Sequence, residues 1–167
     1  MNILFIRHAK AVDRSLFTFS AKRDAARELT DEGRREMRKA AKGLRKLVPA
    51  IDVLATSPLV RAHQTAEIVA DVCGVRDLTE QPLLAPDADP QALLAWLATQ
   101  PPVSTIALVG HEPDLGNFAS LLLAGAKSSF VIFKKGACAL IECSDKPAAG
   151  GGRLAWLLQP GQLRKLD

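Results

Sequence analysis

A chain of 167 residues is long enough for one domain with a real core, and 48% hydrophobic with 24% charged residues is an ordinary globular balance. No apolar run reaches the roughly 18 residues of a membrane span, and Arg7, His8 and Lys10 break the apolar start too early for a signal peptide, so a cytoplasmic chain with no membrane partner is expected. The net charge is +4, yet aromatics are only 5% and Tyr is absent, so no stacking platform supports a nucleic-acid partner.

In chain order, ILFI at 3–6 is a short apolar run that predicts a buried strand. Thr30 then precedes Asp31 and Glu32, a capped helix start with acids in the first turn. Met37, Ala40, Ala41, Leu44 and Leu47 share one face and carry the helix to about Val48, where Pro49 stops it. The run RREMRKAAKGLRK at 34–46 holds much of the positive charge and is read as a solvated face, with docking of an acidic protein as the alternative. DVLAT at 52–56 predicts a second strand. Ser57-Pro58 follows as a cap with Pro at the first helical position, opening a helix with Leu59, Ala62, Ala66 and Val69 on one face. Asp89-Pro90 repeats that signal for a helix through Leu97. STIALV at 104–109 predicts a buried strand, and a helix is expected from Pro113 to Leu123.

FVIF at 130–133 and ACALIEC at 137–143 read as a hairpin through KKG, PAAGGG at 147–152 as a turn, and RLAWLL at 153–158 as the last strand. This alternation predicts an α/β sandwich around a mostly parallel sheet, in a single domain over 1–167. Cys73, Cys138 and Cys143 lie in apolar surroundings and are read as small buried hydrophobes.

Three strand ends carry the chemistry. The first runs into Arg7-His8, the second into Ser57-Pro58-Leu59-Val60-Arg61, and the strand at 104–109 into Gly110-His111-Glu112. In open parallel sheets, ligands bind at the carboxyl ends of the strands, so two arginines and two histidines are expected on one edge. Arg61 falls in the first turn of its helix, where a cation opposes the helix dipole; it reads as facing, with the helix N-terminus, one anion such as phosphate, with a surface Arg extending into water as the alternative. A neutral imidazole at His8 can attack phosphorus, and nearby arginines keep it neutral and stabilise the transferring group. His111 is read as a hydrogen-bond donor to a phosphoryl oxygen, whereas His63 falls on another helix face and reads as a surface residue. No cysteine stands in C-x5-R, and neither G-x-S-x-G nor a P-loop occurs. A metal site from His8, His111, Glu112 and Asp114 lacks a ligand pair and would be repelled by two arginines, so no metal is expected.

These segments resemble a known family. RHAKA at 7–11, SPLVRAHQTA at 57–66 and GHEPDL at 110–115 look like the three blocks of the histidine phosphatase (phosphoglycerate mutase-like) superfamily, in order and across nearly the whole chain. DAARELTDEG at 24–33 resembles the leader before its first helix, and the short length and LLAPDADP stretch look most like SixA-type phosphohistidine phosphatases. The resemblance implies a three-layer α/β/α sandwich, no cofactor, His8 as nucleophile, and Arg7, Arg61 and His111 completing the phosphate pocket. Two departures stand out. Ala9 replaces the usual Gly after the nucleophile, and the general-acid Glu of many relatives has no clear equivalent; Glu80, Asp87 and Asp89 are the candidates, with Asp89 better explained as a helix cap. SixA-type members resemble this chain in lacking that Glu.

Losing a general acid costs an alcohol leaving group about 10²–10⁴-fold, whereas imidazole leaving from phosphohistidine is protonated by solvent near neutral pH. The expected function is therefore hydrolysis of phosphohistidine on a protein. Fewer than fifty residues separate Arg61 from Gly110, leaving little chain for a lid. A small-molecule phosphomonoesterase with the same nucleophile is the alternative, and a non-catalytic phosphate-binding module is the alternative of another class. No exposed apolar helix stands out, so a monomer is expected.

Overall fold

The computed structural model describes residues 1–13, 15, 24–102, 104–126, 128–144 and 146–167. A six-stranded sheet forms its middle layer, made of β1 (Asn2–Arg7), β2 (Val53–Thr56), β3 (Leu78–Glu80), β4 (Thr105–Gly110), β5 (Cys138–Glu142) and β6 (Arg153–Leu158). The order is β3-β2-β4-β1-β5-β6, with the first four strands parallel and β5 and β6 antiparallel at one side. The helices are α1 (Asp31–Leu47), α2 (Val60–Cys73), α3 (Pro90–Leu97), α4 (Asp114–Ala124) and the short α5 (Pro160–Leu163). Among the described residues, no helix is long and apolar enough to cross a membrane.

The central strands read as unbroken apolar runs because both faces are covered. On one face, Leu4, Ile6, Ala107 and Val109 pack with Met37, Ala41 and Leu44 of α1 and with Ala62, Ala66 and Val69 of α2. On the other, Ile3, Phe5, Ile106 and Leu108 pack with Leu93 and Leu97 of α3 and with Leu115, Phe118 and Leu122 of α4. The expected three-layer α/β/α architecture is therefore present.

Several expectations hold in detail. The Thr30 hydroxyl accepts from the Gly33 amide at the start of α1, and Asp89 caps α3 through the Gln91 amide. The basic face of α1 is laced into ion pairs, Arg34 with Glu28, Arg38 with Asp71 and Lys42 with Asp167. Cys138 is fully buried, while Cys73 and Cys143 are half-buried.

Other expectations are corrected. Leu47, placed on the apolar face, is 39% exposed at the end of its helix. Ser57 does not cap α2, which begins at Val60 after Leu59. FVIF at 130–133 forms no strand and no hairpin. Both sides of β5 are taken, by β1 and by β6, so PAAGGG joins the actual antiparallel pair. The backbone of 130–133 finds side-chain partners instead, the Phe130 amide donating to Ser120 Oγ and the Phe133 amide to Glu112 Oε1. β3 and the 3₁₀ turn Pro82–Leu84 fill the stretch that carried no predicted element.

Candidate active site

Strand register brings the candidate residues together. β1 and β4 pair from Asn2↔Thr105 to Arg7↔Gly110, and β2 pairs with β4 up to Thr56↔Val109. The three carboxyl ends are thus level. The chain stays bonded one step beyond them, with the His8 amide donating to Gly110 O (3.0 Å) and the Ser57 amide to Val109 O (2.9 Å). From the other side, the Gly136 amide donates to the carbonyls of Arg7 and His8, both at 3.1 Å. Gly136 holds φ of +80°, a conformation that side chains disfavour, so this turn under the site suits glycine.

His8 is buried, and its Nδ1 lies 2.7 Å from the carbonyl of Ala9. A carbonyl can only accept, so Nδ1 carries the proton and Nε2 keeps its lone pair. Burial, together with the charges of Arg61 and Arg7, lowers the His8 pKa from 6.5 to about 2, against the Ala9 hydrogen bond that raises it. The His111 ring centroid lies 5.1 Å from that of His8. His111 is also buried, and desolvation followed by the Arg61 charge lowers its pKa to about 3. Both imidazoles are neutral at pH 7.

Each remaining group has a defined anchor. Arg7 Nη1 donates to the Phe133 carbonyl at 2.6 Å, while its Nε is buried without a hydrogen-bond partner among the described residues. Arg61 Nη1 donates to the Asp24 carbonyl at 2.8 Å, and Nη2 lies 3.3 Å from Asp24 Oδ2. Asp24 also holds Arg27, through Nε at 2.9 Å. His111 Nε2 lies 2.8 Å from Ser57 Oγ, and its buried Nδ1 has no partner among the described residues. Unpartnered buried polar atoms are rare in folded proteins, and these two on Arg7 and His111 are unsatisfied hydrogen-bonding capacity beside the same pocket.

Ala9 does not crowd this pocket. It is 3% exposed and belongs to the core cluster under α1 and α2. Its amide donates to Thr65 Oγ1 at 3.0 Å, and Thr65 in turn donates to the Arg61 carbonyl at 2.7 Å. One hydroxyl on α2 therefore ties the His8 loop to the Arg61 turn.

Two of the three candidate acids, Glu80 and Asp89, have side-chain partners elsewhere, and Asp87 is bonded through its backbone. Glu80 Oε1 lies 3.8 Å from Nε2 of the half-exposed His63, whose other nitrogen faces Glu67. Asp89 caps α3, and the Asp87 amide donates to Asp114 Oδ2 at 3.4 Å. Glu112 accepts from the amides of Phe133 and Gly116, and burial raises its carboxyl above the usual range. Among the described residues, no cluster of His, Cys, Asp and Glu could hold a metal ion.

The four residues singled out by sequence, Arg7, His8, Arg61 and His111, are thus gathered on one sheet edge. Sequence reasoning missed Asp24, Thr65 and the Phe133 carbonyl. Asp24 lies in the stretch before α1, but nothing in its spacing ties it to Arg61, and a backbone carbonyl leaves no sequence signal. Two guanidinium groups around two neutral imidazoles, one with its Nε2 lone pair available, have the chemical composition of an anion site that could hold a nucleophile.

Comparison with known proteins gives the family. Residues 3–85 match the model of the histidine phosphatase superfamily (branch 1). The chain is 36% identical over 141 residues to an uncharacterized protein of Picosynechococcus sp., covering 81% of each. It is 28% identical to the phosphohistidine phosphatase SixA of Escherichia coli (strain K12) over 167 residues, covering 98% of this chain and 97% of that protein. The structure of the protein histidine phosphatase SixA complexed with tungstate superposes with a TM-score of 0.83 at 26% identity, over 98% of this chain and 99% of that one. With these likenesses and this site, the chain belongs to the histidine phosphatase superfamily and is a phosphatase.

Proposed function

We propose that the substrate is phosphohistidine on a protein, and that His8 is the nucleophile. The Nε2 lone pair of His8 forms a bond to phosphorus while the substrate P–N bond breaks. The electron pair leaves with the substrate imidazole, which takes its proton from solvent. Arg7 and Arg61 hold the equatorial oxygens, and His111 donates from Nδ1. Water then attacks phosphorus, the P–Nε2 bond breaks, the pair returns to His8, and inorganic phosphate leaves.

The observation that carries this reading is a buried, neutral His8 whose neighbouring carboxyls are already held: Asp24 pairs with Arg61 and Arg27, and Glu112 accepts from two backbone amides. Of the acids singled out by sequence, Glu80 faces His63 and Asp89 caps α3. A site whose carboxyls are held by other groups favours a leaving group that needs no proton from the enzyme. The similarity to SixA supports the same reading.

The test is phosphate release from a phosphohistidine protein and from an aryl phosphate, run beside His8→Ala. Activity on the protein that vanishes in the variant supports both nucleophile and substrate class. Activity on the aryl ester alone would move the assignment to a small-molecule phosphomonoesterase. A variant as active as the parent would remove His8 from the mechanism.

A further inference from the structure

The segment 130–135 forms one rim of the site and alternates sharply. Val131 and Phe133 are buried, whereas Phe130 is 59% and Ile132 is 74% exposed. In an extended segment, residues two apart point the same way, so Phe130 and Ile132 make one apolar strip. They are the most exposed large hydrophobic residues among those described.

The strip is firmly placed. The Phe133 ring stacks on Phe5 with centroids 6.0 Å apart, and its amide and carbonyl are held by Glu112 and Arg7. Lys134 and Lys135 follow directly and are exposed. An apolar strip continuous with two cations and one carbonyl away from Arg7 has the composition of a binding surface with a polar rim. Its own core needs are already met by Val131 and Phe133, so folding does not explain Phe130 and Ile132.

Resting on the phosphohistidine reading, we infer that Phe130, Ile132, Lys134 and Lys135 dock the protein that carries the phosphoryl group. The surface they fit is apolar beside the phosphorylated histidine and flanked by acidic residues. Docking there delivers the phosphoryl group to the pocket, because the strip and Arg7 share Phe133. The lysines steer an acidic partner, so their share falls with added salt.

The experiment compares two substrates with the same reacting bond. One is a histidine-phosphotransfer domain phosphorylated on its histidine; the other is free N-phosphohistidine. The double variant Phe130→Ser with Ile132→Ser is expected to lose about tenfold or more in kcat/KM on the domain and to keep its value on the free amino acid. Lys134→Glu with Lys135→Glu is expected to lose activity on the domain alone and to remove its salt dependence. Equal kcat/KM on the domain for variant and parent overturns the inference, as does an equal loss on both substrates. A parent that dimerises by light scattering, with the Phe130→Ser, Ile132→Ser protein monomeric, also overturns it by giving the strip to a second copy. A parent inactive on the domain but active on an aryl phosphate instead marks failure of the phosphohistidine reading itself.

Discussion

At the scale of single residues, the proposed mechanism depends also on groups that set protons without touching the substrate. Ser57 Oγ accepts from the Leu59 amide at 3.3 Å and faces His111 Nε2 at 2.8 Å. If the hydroxyl gives its proton to Nε2, His111 keeps one at Nδ1, the nitrogen without a partner. Ser57→Ala leaves a buried Nε2 unsatisfied and frees the tautomer. A loss of about 1–3 kcal/mol at such a site corresponds to roughly 5- to 150-fold in kcat/KM. Kinetics on an aryl phosphate check this, and an unchanged kcat/KM would remove Ser57 from the control of His111. The serine was visible in the sequence, but as a cap: a hydroxyl before a proline has the same local signature whichever donor it serves. Arg7, His8, Arg61 and His111 were legible because each follows a strand-like run. Asp24 was not, since its partner Arg61 lies 37 residues away and only folding joins them.

Among the elements, the parallel part of the sheet was legible and the antiparallel side was less so. β1, β2 and β4 are buried on both faces and announce themselves as apolar runs. The 130–133 segment alternates like a strand, but a period of two reports which side chains are covered and not which backbones pair. β3 has only three residues at a sheet edge, too few for any period. The segment after 133 reaches the site through Gly136, which gives a prediction at this scale. Gly136→Ala places a side chain at φ of +80°, at a cost of about 1–2 kcal/mol. It also strains the turn whose amide holds the Arg7 and His8 carbonyls. Gly74→Ala is the control, since Gly74 ends α2 at φ of +73° with open space around it. Both variants are expected to melt a few degrees lower, roughly 2–8 °C for that cost. Only Gly136→Ala should also lose kcat; equal kcat in the two variants would show that the turn holds no catalytic geometry.

The whole molecule carries the electrostatic consequence of gathering these groups. Two arginines and two histidines converge in a chain that already bears a net charge of +4. Folding keeps His8 and His111 neutral down to about 2 and about 3, whereas in the unfolded chain they protonate near 6.5. Between those limits the unfolded state binds more protons, so stability rises with pH up to about 6.5 and levels off above it. Each histidine withholds about 1.4 kcal/mol per pH unit below 6.5. Glu112 and Asp114 act in the opposite sense, because burial raises their carboxyls and their protonation favours the folded state as pH falls. The larger shifts belong to the histidines, so they set the direction between pH 6.5 and 5. Denaturant unfolding of the free protein should therefore lose a few kcal/mol from pH 7 to pH 5. His8→Asn removes one of the two titrating rings and is expected to lose about half as much over the same interval. A parent whose unfolding free energy is level from pH 7 to 5 would mean that the pocket takes up protons easily, and the neutral state of the proposed nucleophile would then need another source than burial among arginines.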